Sequence, residues 1–386
     1  MTRARVLHLG KYYPPASGGM ETALETLCRR ERRWIDTRAL VLTKAHRTVH
    51  ETLEGVRVTR VASLTTIGAV SVAPTLPLWL ARVAPDLIVL HEPNPMALVA
   101  YFLARPPVPL VVWYHSEVIR PRWRYRLFYL PFLAFALRRA GCIIVSSPPM
   151  LDVPALLPYR AKCMVVPYGL EIDRYEASRA VTAKAKELRG SARAPILLFV
   201  GRLVAYKGVD VLLRALPGIE ATVVIVGDGP ARSSLEALAR ELCVADRVRF
   251  AGEVTDEDLL AWYHACDALV LPSISRQETF GLVQLEAMAC GKPVVSTDLP
   301  TGVSWVNQHE RTGLVTKAGD VAALRAALGR HVCDEDLRAR LGTAARARVR
   351  SQFTAERMCE AAHSIYQQLC SSMPATEPQP AHSNVR

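Results

Sequence analysis

Short runs of Val, Ile and Leu recur along the first half of the chain, at 6–9, 39–42, 56–58, 87–90, 110–113, 142–145 and 164–166. Uninterrupted apolar runs of this kind predict strands buried on both faces, as in a parallel sheet flanked by helices. A second series follows at 196–200, 222–226, 248–250, 268–271, 294–296 and 313–315. Helical apolar spacing separates the runs, so the pattern predicts an α/β chain of two doubly wound, Rossmann-like domains. The first domain is placed at 1–170 and the second at 171–353. The boundary falls near Pro167-Tyr168-Gly169, where a segment of mixed charge begins. A helix is expected over 354–370, and 371–386, rich in Pro, Ser and Gln, reads as a disordered tail. Open parallel sheets bind ligands beyond the carboxyl ends of their strands, so two facing sheets would share one central cleft.

Composition changes this picture little, and charge changes it more. At 386 residues, half of them hydrophobic, the chain exceeds what one core organises. Its nine cysteines form no CxxC pair, which points away from a disulfide framework or zinc cluster and toward a reducing compartment. The formal charge of +12 is uneven: residues 1–176 hold 23 basic against 13 acidic side chains, and the remainder 25 against 23. A basic first half suggests an anionic partner surface, either nucleic acid or an acidic membrane leaflet. The opening MTRARVLHLG lacks the apolar region and cleavage site of a signal peptide. The apolar stretch 127–137 is broken by Pro131 and falls well short of the ~20 residues a spanning helix needs.

Candidate chemistry concentrates in ETFGLVQLEAMACG, 278–291. Glu278 should lie in a loop and Glu286 on the second turn of the helix that starts after Gly281 and stops at Gly291-Lys292-Pro293. The free N–H groups of that helix start invite a phosphate, and two flanking carboxylates suit hydroxyls at either end of a ligand such as a nucleotide-sugar. The bland alternative is a first-turn charge and a solvated one. Arg202 and Lys207, in the loop of LLFVGRLVAYKG, could neutralise a diphosphate, solvated surface charge being the alternative. Gly18 and Gly19 precede a helical run and allow close backbone approach, though a Gly-Gly pair after a strand is also an ordinary turn. VGDGP, with Gly229, lacks the third glycine of a dinucleotide fingerprint. His115, in WYHSE, follows a strand that would deliver it into the cleft, and Glu117 reads as a helix-start charge. DED at 256–258 and 334–336 reads as helix N-terminal charge. No DxD motif stands beside the expected diphosphate, so no metal and no other cofactor is expected.

The segment RPRWRYRLFYLPFLAFALRR, 120–139, sets Arg120, Arg122, Arg124 and Arg126 among Trp123, Tyr125, Phe128 and Tyr129. This composition suits an anionic membrane interface, with a buried helix carrying a basic end as the alternative. The same residues could stack on bases, but no nucleic-acid-binding motif accompanies them.

The run PSISRQETFGLVQLEAMACGKPVV, with the Gly-Gly loop, the Gly-Arg…Lys-Gly pair and the histidine after its strand, resembles the retaining glycosyltransferases of family 4 over about residues 4–370. That resemblance implies the GT-B fold, with a nucleotide-sugar held mainly by the second domain and an acceptor mainly by the first. It also implies that the 354–370 helix crosses back to the first domain. His115, Arg202, Lys207 and Glu278 would serve catalysis, with His115 contacting the transferred sugar. Gly18, Gly19, Gly229, Val254, Phe280, Gly281, Leu282, Val283 and Glu286 would surround the donor, Glu286 at the ribose. His91, in HEPNP, would shape the acceptor side with the 120–126 arginines and Trp123. After Thr297-Asp298 the family commonly reads Gly-Gly-x-x-Glu, whereas this chain reads LPTGVSW with Ser304 in the glutamate's place. That variant resembles bacterial polysaccharide glycosyltransferases, several of which use GDP-mannose. The expectation is a retaining hexosyltransferase, cytoplasmic and peripheral to the inner membrane face, acting on a lipid-linked or polysaccharide acceptor. An enzyme for a small soluble acceptor, a GT-B epimerase and a basic nucleic-acid-binding protein are the other readings.

Overall fold

A computed structural model describes residues 3–15, 18–67, 70–117, 125–190 and 194–371. The first sheet holds β1 (Arg5–Leu9), β2 (Asp36–Thr43), β3 (Val49–Leu53), β4 (Val56–Ala62), β7 (Leu87–Glu92), β8 (Leu110–Tyr114), β9 (Cys142–Val145) and β10 (Cys163–Val165). Its order is β10-β9-β8-β7-β1-β2-β4-β3, with β3 the antiparallel edge. A small hairpin, β5 (Thr65–Ile67) with β6 (Val70–Val72), stands apart. The second sheet runs β13-β12-β11-β14-β15-β16, all parallel, from β11 (Ile196–Val200), β12 (Thr222–Val226), β13 (Val248–Gly252), β14 (Ala268–Leu271), β15 (Val294–Asp298) and β16 (Gly313–Lys317). Every strand expected from the apolar runs is present.

The central strands are buried on both faces, as their composition requires: all of β7, β8, β9, β11 and β14 lies in the interior. Each fully buried Val, Leu or Ile side chain is worth about 1.5–3 kcal/mol relative to exposure. In each sheet the order reverses beside the first strand, β1 between β2 and β7, β11 between β12 and β14. Both switch points open at the carboxyl ends of the strands, where such sheets hold ligands.

The two halves are joined by two chain crossings lying side by side. Leu170 N–H donates to Phe353 O at 2.8 Å, and Ala355 N–H donates to Leu170 O at 2.8 Å. Gly169 is required there, because a Cβ would fall 2.1 Å from Thr354 O. The last described helix, Ala355–Ser371, lies on the first domain: His363 stacks on Trp34 at 5.0 Å, and a Cβ on Gly141 would meet Leu369 at 2.7 Å. Pro131, expected to interrupt an apolar stretch, instead opens the helix Leu130–Arg139, where its missing N–H costs nothing.

Candidate active site

The second domain brings three loops to the carboxyl end of its sheet. After β11 the chain makes one 3₁₀ turn, Ala205–Lys207, and passes through Gly208 at φ 68°. A Cβ on Gly208 would sit 2.0 Å from Pro272 O, so only glycine lets this loop press against the one after β14. That contact places Lys207 Nζ 2.6 Å from Glu278 Oε2, with both side chains nearly buried. Ser273 Oγ donates to the same carboxylate oxygen at 3.0 Å. The backbone carries the loop from the other side: Thr301 Oγ1 donates to Glu278 O at 2.8 Å, and Gly302 N–H donates to Thr279 O at 2.7 Å. Burial works against the Lys207 charge, but Glu278 outweighs it and raises the ammonium above the ordinary lysine range. Lys207 and Glu278 were expected to act on different parts of a ligand; the structure makes them one ion pair. Arg202 stands exposed in the same loop.

The helix Leu282–Ala289 starts directly after this pair. Gly281 caps it in the left-handed region at φ 71°, and a Cβ there would meet Leu271 at 2.6 Å. Its leading N–H groups therefore open toward the cleft with the positive end of the helix dipole behind them. The Gly-Gly loop of the first domain faces this start across the cleft: a Cβ on Gly19 would lie 3.2 Å from Leu282 Cδ1. Phe280 is buried, and Leu282 and Val283 are half-buried against the core cluster it belongs to. Glu286 is half-buried one turn on, where the Tyr263 hydroxyl donates to it. Burial raises its carboxyl above the usual range, and hydrogen bonds from Tyr263 and Tyr175 partly offset this. Gly229 packs on the Arg202 loop, where a Cβ would fall 2.4 Å from Leu203 O. Val254 is half-buried just before Thr255, whose hydroxyl caps the helix Asp256–Ala265 by accepting from Asp258 N–H at 3.1 Å. Asp334 likewise caps Glu335–Gln352, so both DED runs are helix-start charge.

On the first domain the geometry departs from expectation. His115 is buried at the end of β8, and both ring nitrogens are engaged: Nε2 with His91 Nδ1 at 2.8 Å, and Nδ1 with the Tyr168 hydroxyl. A sugar hydroxyl could reach either nitrogen only by displacing one of those partners. His91 is wholly buried between His8 and His115, so it cannot touch an acceptor. Glu117, read from the sequence as a helix-start charge, pairs with Arg276 of the second domain at 3.3 Å across the cleft, and the residues that follow it, 118–124, lie outside the described residues. Arg120, Arg122, Trp123 and Arg124 lie outside the described residues, and Arg126 is exposed.

Comparison with known proteins agrees with the two-domain fold. Residues 17–174 match the model described as Glycosyltransferase Family 4, and residues 182–348 match Glycosyl transferases group 1. The chain is 34% identical over 357 residues to the D-rhamnosyltransferase WbpZ of Pseudomonas aeruginosa, covering 91% of this chain and 92% of that protein. It is 31% identical over 373 residues to the O-antigen chain mannosyltransferase C of Escherichia coli, covering 95% and 99%. Sucrose-phosphate synthase of Thermosynechococcus elongatus superposes with a TM-score of 0.82 at 24% identity, covering 96% of this chain and 100% of that one. With facing Rossmann-like domains and relatives matched along nearly their whole length, the chain belongs to the GT-B glycosyltransferases.

Proposed function

We propose that the protein transfers a hexose of manno configuration from a nucleotide-sugar, GDP-mannose first, to a lipid-linked or polysaccharide acceptor with retention of configuration. The Lys207–Glu278 pair at the start of the Leu282–Ala289 helix carries this reading. One ammonium with three donors can hold the carboxylate that grips a donor-sugar hydroxyl and also meet the leaving diphosphate. Arg202 and the helix N–H groups add positive charge to the same place, so the diphosphate is stabilised without a metal. Glu286 grips the ribose. Attack comes from the face the diphosphate leaves, and the departing phosphate takes the acceptor proton. The sugar assignment is supported by the named activities of the two relatives, since D-rhamnose is 6-deoxy-D-mannose.

A thermal-shift panel of GDP-, UDP- and dTDP-sugars tests the donor. GDP-mannose at a hundred times its Kd should stabilise the protein by about 2.7 kcal/mol. Glu286→Gln should weaken that binding about tenfold, the loss of one hydrogen bond to a charged group. Stabilisation by UDP- or dTDP-sugars alone would overturn the donor, and stabilisation by none would overturn the site.

Among the described residues no helix is long and apolar enough to cross a membrane. The acceptor reading instead draws on a surface of the first domain. Phe102 meets Phe132 and Phe135 edge-on at 5.3 and 5.0 Å, and Arg105 and Arg139 lie over Phe135 at 5.8 and 5.9 Å. Leu103 is more than 60% exposed, as are Leu127 and Phe128, which follow the exposed Arg126 in the chain. This face docks on the anionic cytoplasmic leaflet, with rings at headgroup depth and arginines on acidic lipid. Arg126→Ser should reduce flotation with phosphatidylserine vesicles about fivefold at low salt; unchanged flotation would remove the membrane assignment.

A further inference from the structure

Five buried side chains stand in single file through the first domain. Glu31, the last residue of the helix Gly19–Glu31, has Oε2 2.9 Å from His8 Nε2. His8 Nδ1 is 3.0 Å from His91 Nε2, His91 Nδ1 is 2.8 Å from His115 Nε2, and His115 Nδ1 meets the Tyr168 hydroxyl. Each of the five is at most 5% exposed. The file follows from strand register. β1, β7 and β8 are parallel neighbours, with His8 opposite Val89 and His91 opposite Trp113. Each histidine thus stands two residues beyond its neighbour's partner, which keeps all three rings on one face.

A neutral imidazole has one N–H donor and one acceptor nitrogen, and here both nitrogens of every ring are used within the file. The sense of donation therefore passes from ring to ring without freedom. Burial pushes His91 well below the ordinary histidine range and His115 to about 3, so both are neutral at neutral pH. If His8 donates to Glu31 and is neutral, His91 donates to His8, His115 donates to His91, and Tyr168 donates to His115. If His8 carries a second proton, every bond beyond it reverses and Tyr168 accepts. The state of the Glu31–His8 pair thus decides whether the Tyr168 hydroxyl turns its hydrogen toward His115 or away. Tyr168 sits at the first chain crossing, and its ring packs edge-on against Phe280 at 5.0 Å, next to Gly281 at the candidate donor helix.

We propose that Glu31 is a positioning residue for glycosyl transfer, acting through His8, His91 and His115 to fix the hydrogen-bond sense of Tyr168 beside the donor helix. The proposal rests on glycosyl transfer itself and not on the identity of the donor. Glutamine at position 31 either donates to or accepts from His8, so Glu31→Gln removes the setting without changing size.

Side-chain ¹⁵N NMR of histidine-labelled wild-type protein reads the effect without substrate. The expected spectrum gives His115 one fixed tautomer, which Glu31→Gln converts to a mixture. In transfer assays Glu31→Gln should lower kcat about tenfold with KM for the donor within about twofold. Tyr168→Phe, which removes the end of the file, should abolish that difference, the double variant being no slower than Tyr168→Phe alone. An averaged His115 tautomer in the wild-type protein overturns the proposal, even if no variant folds. So does a kcat that Glu31→Gln leaves unchanged, or additive losses in the double variant. Stabilisation by UDP- or dTDP-sugars alone, with a fixed His115 tautomer, would instead count against the donor assignment and leave this proposal standing.

Discussion

Lys207→Met should lower kcat by about a hundred- to a thousandfold, the loss of one preorganised charge at a leaving diphosphate. It should also destabilise the protein, because Glu278 keeps its carboxylate in a nearly buried site with only Ser273 as a side-chain donor among the described residues. Removing one member of a buried pair typically costs about 3–5 kcal/mol. The two effects are separable in a cycle with Glu278→Gln. The double variant carries no orphaned charge, so its thermal stability should return most of the way to wild type. Its transfer rate should not return, since neither the diphosphate nor the sugar hydroxyl has recovered its partner. Recovery of both in the double variant would mean that Lys207 serves only to neutralise Glu278. The raised Lys207 pKa puts the pair's contribution in full below the ordinary lysine value and lets it fade only as pH climbs past it. The cycle can therefore be run at neutral pH without titrating the lysine.

The pair also marks how far sequence reading reaches. Lys207 and Glu278 could each be picked out because each follows a strand end in a motif. Their contact could not, because it depends on the neighbouring positions of β11 and β14 in the second sheet and on Gly208 admitting Pro272 O. The fold was legible for a related reason. Parallel strands buried on both faces write themselves as continuous apolar runs, and those were found. β3 was not, because VHETL is an exposed edge with no apolar run, and neither was the three-residue pairing of β5 with β6.

The histidine file shows a different limit. His8 and His91 lie 83 residues apart, and His91 and His115 lie 24 apart, so nothing local joins them. A histidine near the end of each of three strands was visible in the chain. Knowing that β1, β7 and β8 are neighbours turns that coincidence into contact. The family resemblance implied His91 on the acceptor side and His115 at the transferred sugar, and the burial of both rings in the file leaves no ring nitrogen open for direct contact. The Glu117–Arg276 ion pair was out of reach for the same reason, since its two members belong to different domains.

The residue next to His91 yields a large expected effect of pH on stability. Glu92 ends β7 with no exposure; Tyr129 OH donates to its Oε2 at 2.6 Å and Asn94 N–H donates to the same atom at 3.0 Å. Oε1 has no partner among the described residues. Burial pushes the carboxyl up to about 8 against those two hydrogen bonds, so at neutral pH the folded protein holds Glu92 protonated. The unfolded chain ionises it near its ordinary value of 4.5. Between those values the native state binds more protons, and stability falls as pH rises. Below 4.5 the term is absent, and above 8 its cost is constant. Glutamine is the uncharged analogue of the acid, so Glu92→Gln should gain on wild type across that window by about 3 kcal/mol between pH 5.5 and 8.5. In thermal unfolding of the first domain this is a relative shift of roughly 6–12 °C. Any fixed cost of the extra amide hydrogen moves both ends of the comparison together and leaves the difference intact. Parallel stability curves for the two proteins would show instead that Glu92 is ionised in the fold. The same HEPNP segment closes the end of β7 as buried structure, with Asn94 Oδ1 accepting from Ala97 N–H at 3.2 Å to cap the helix Pro95–Ala104.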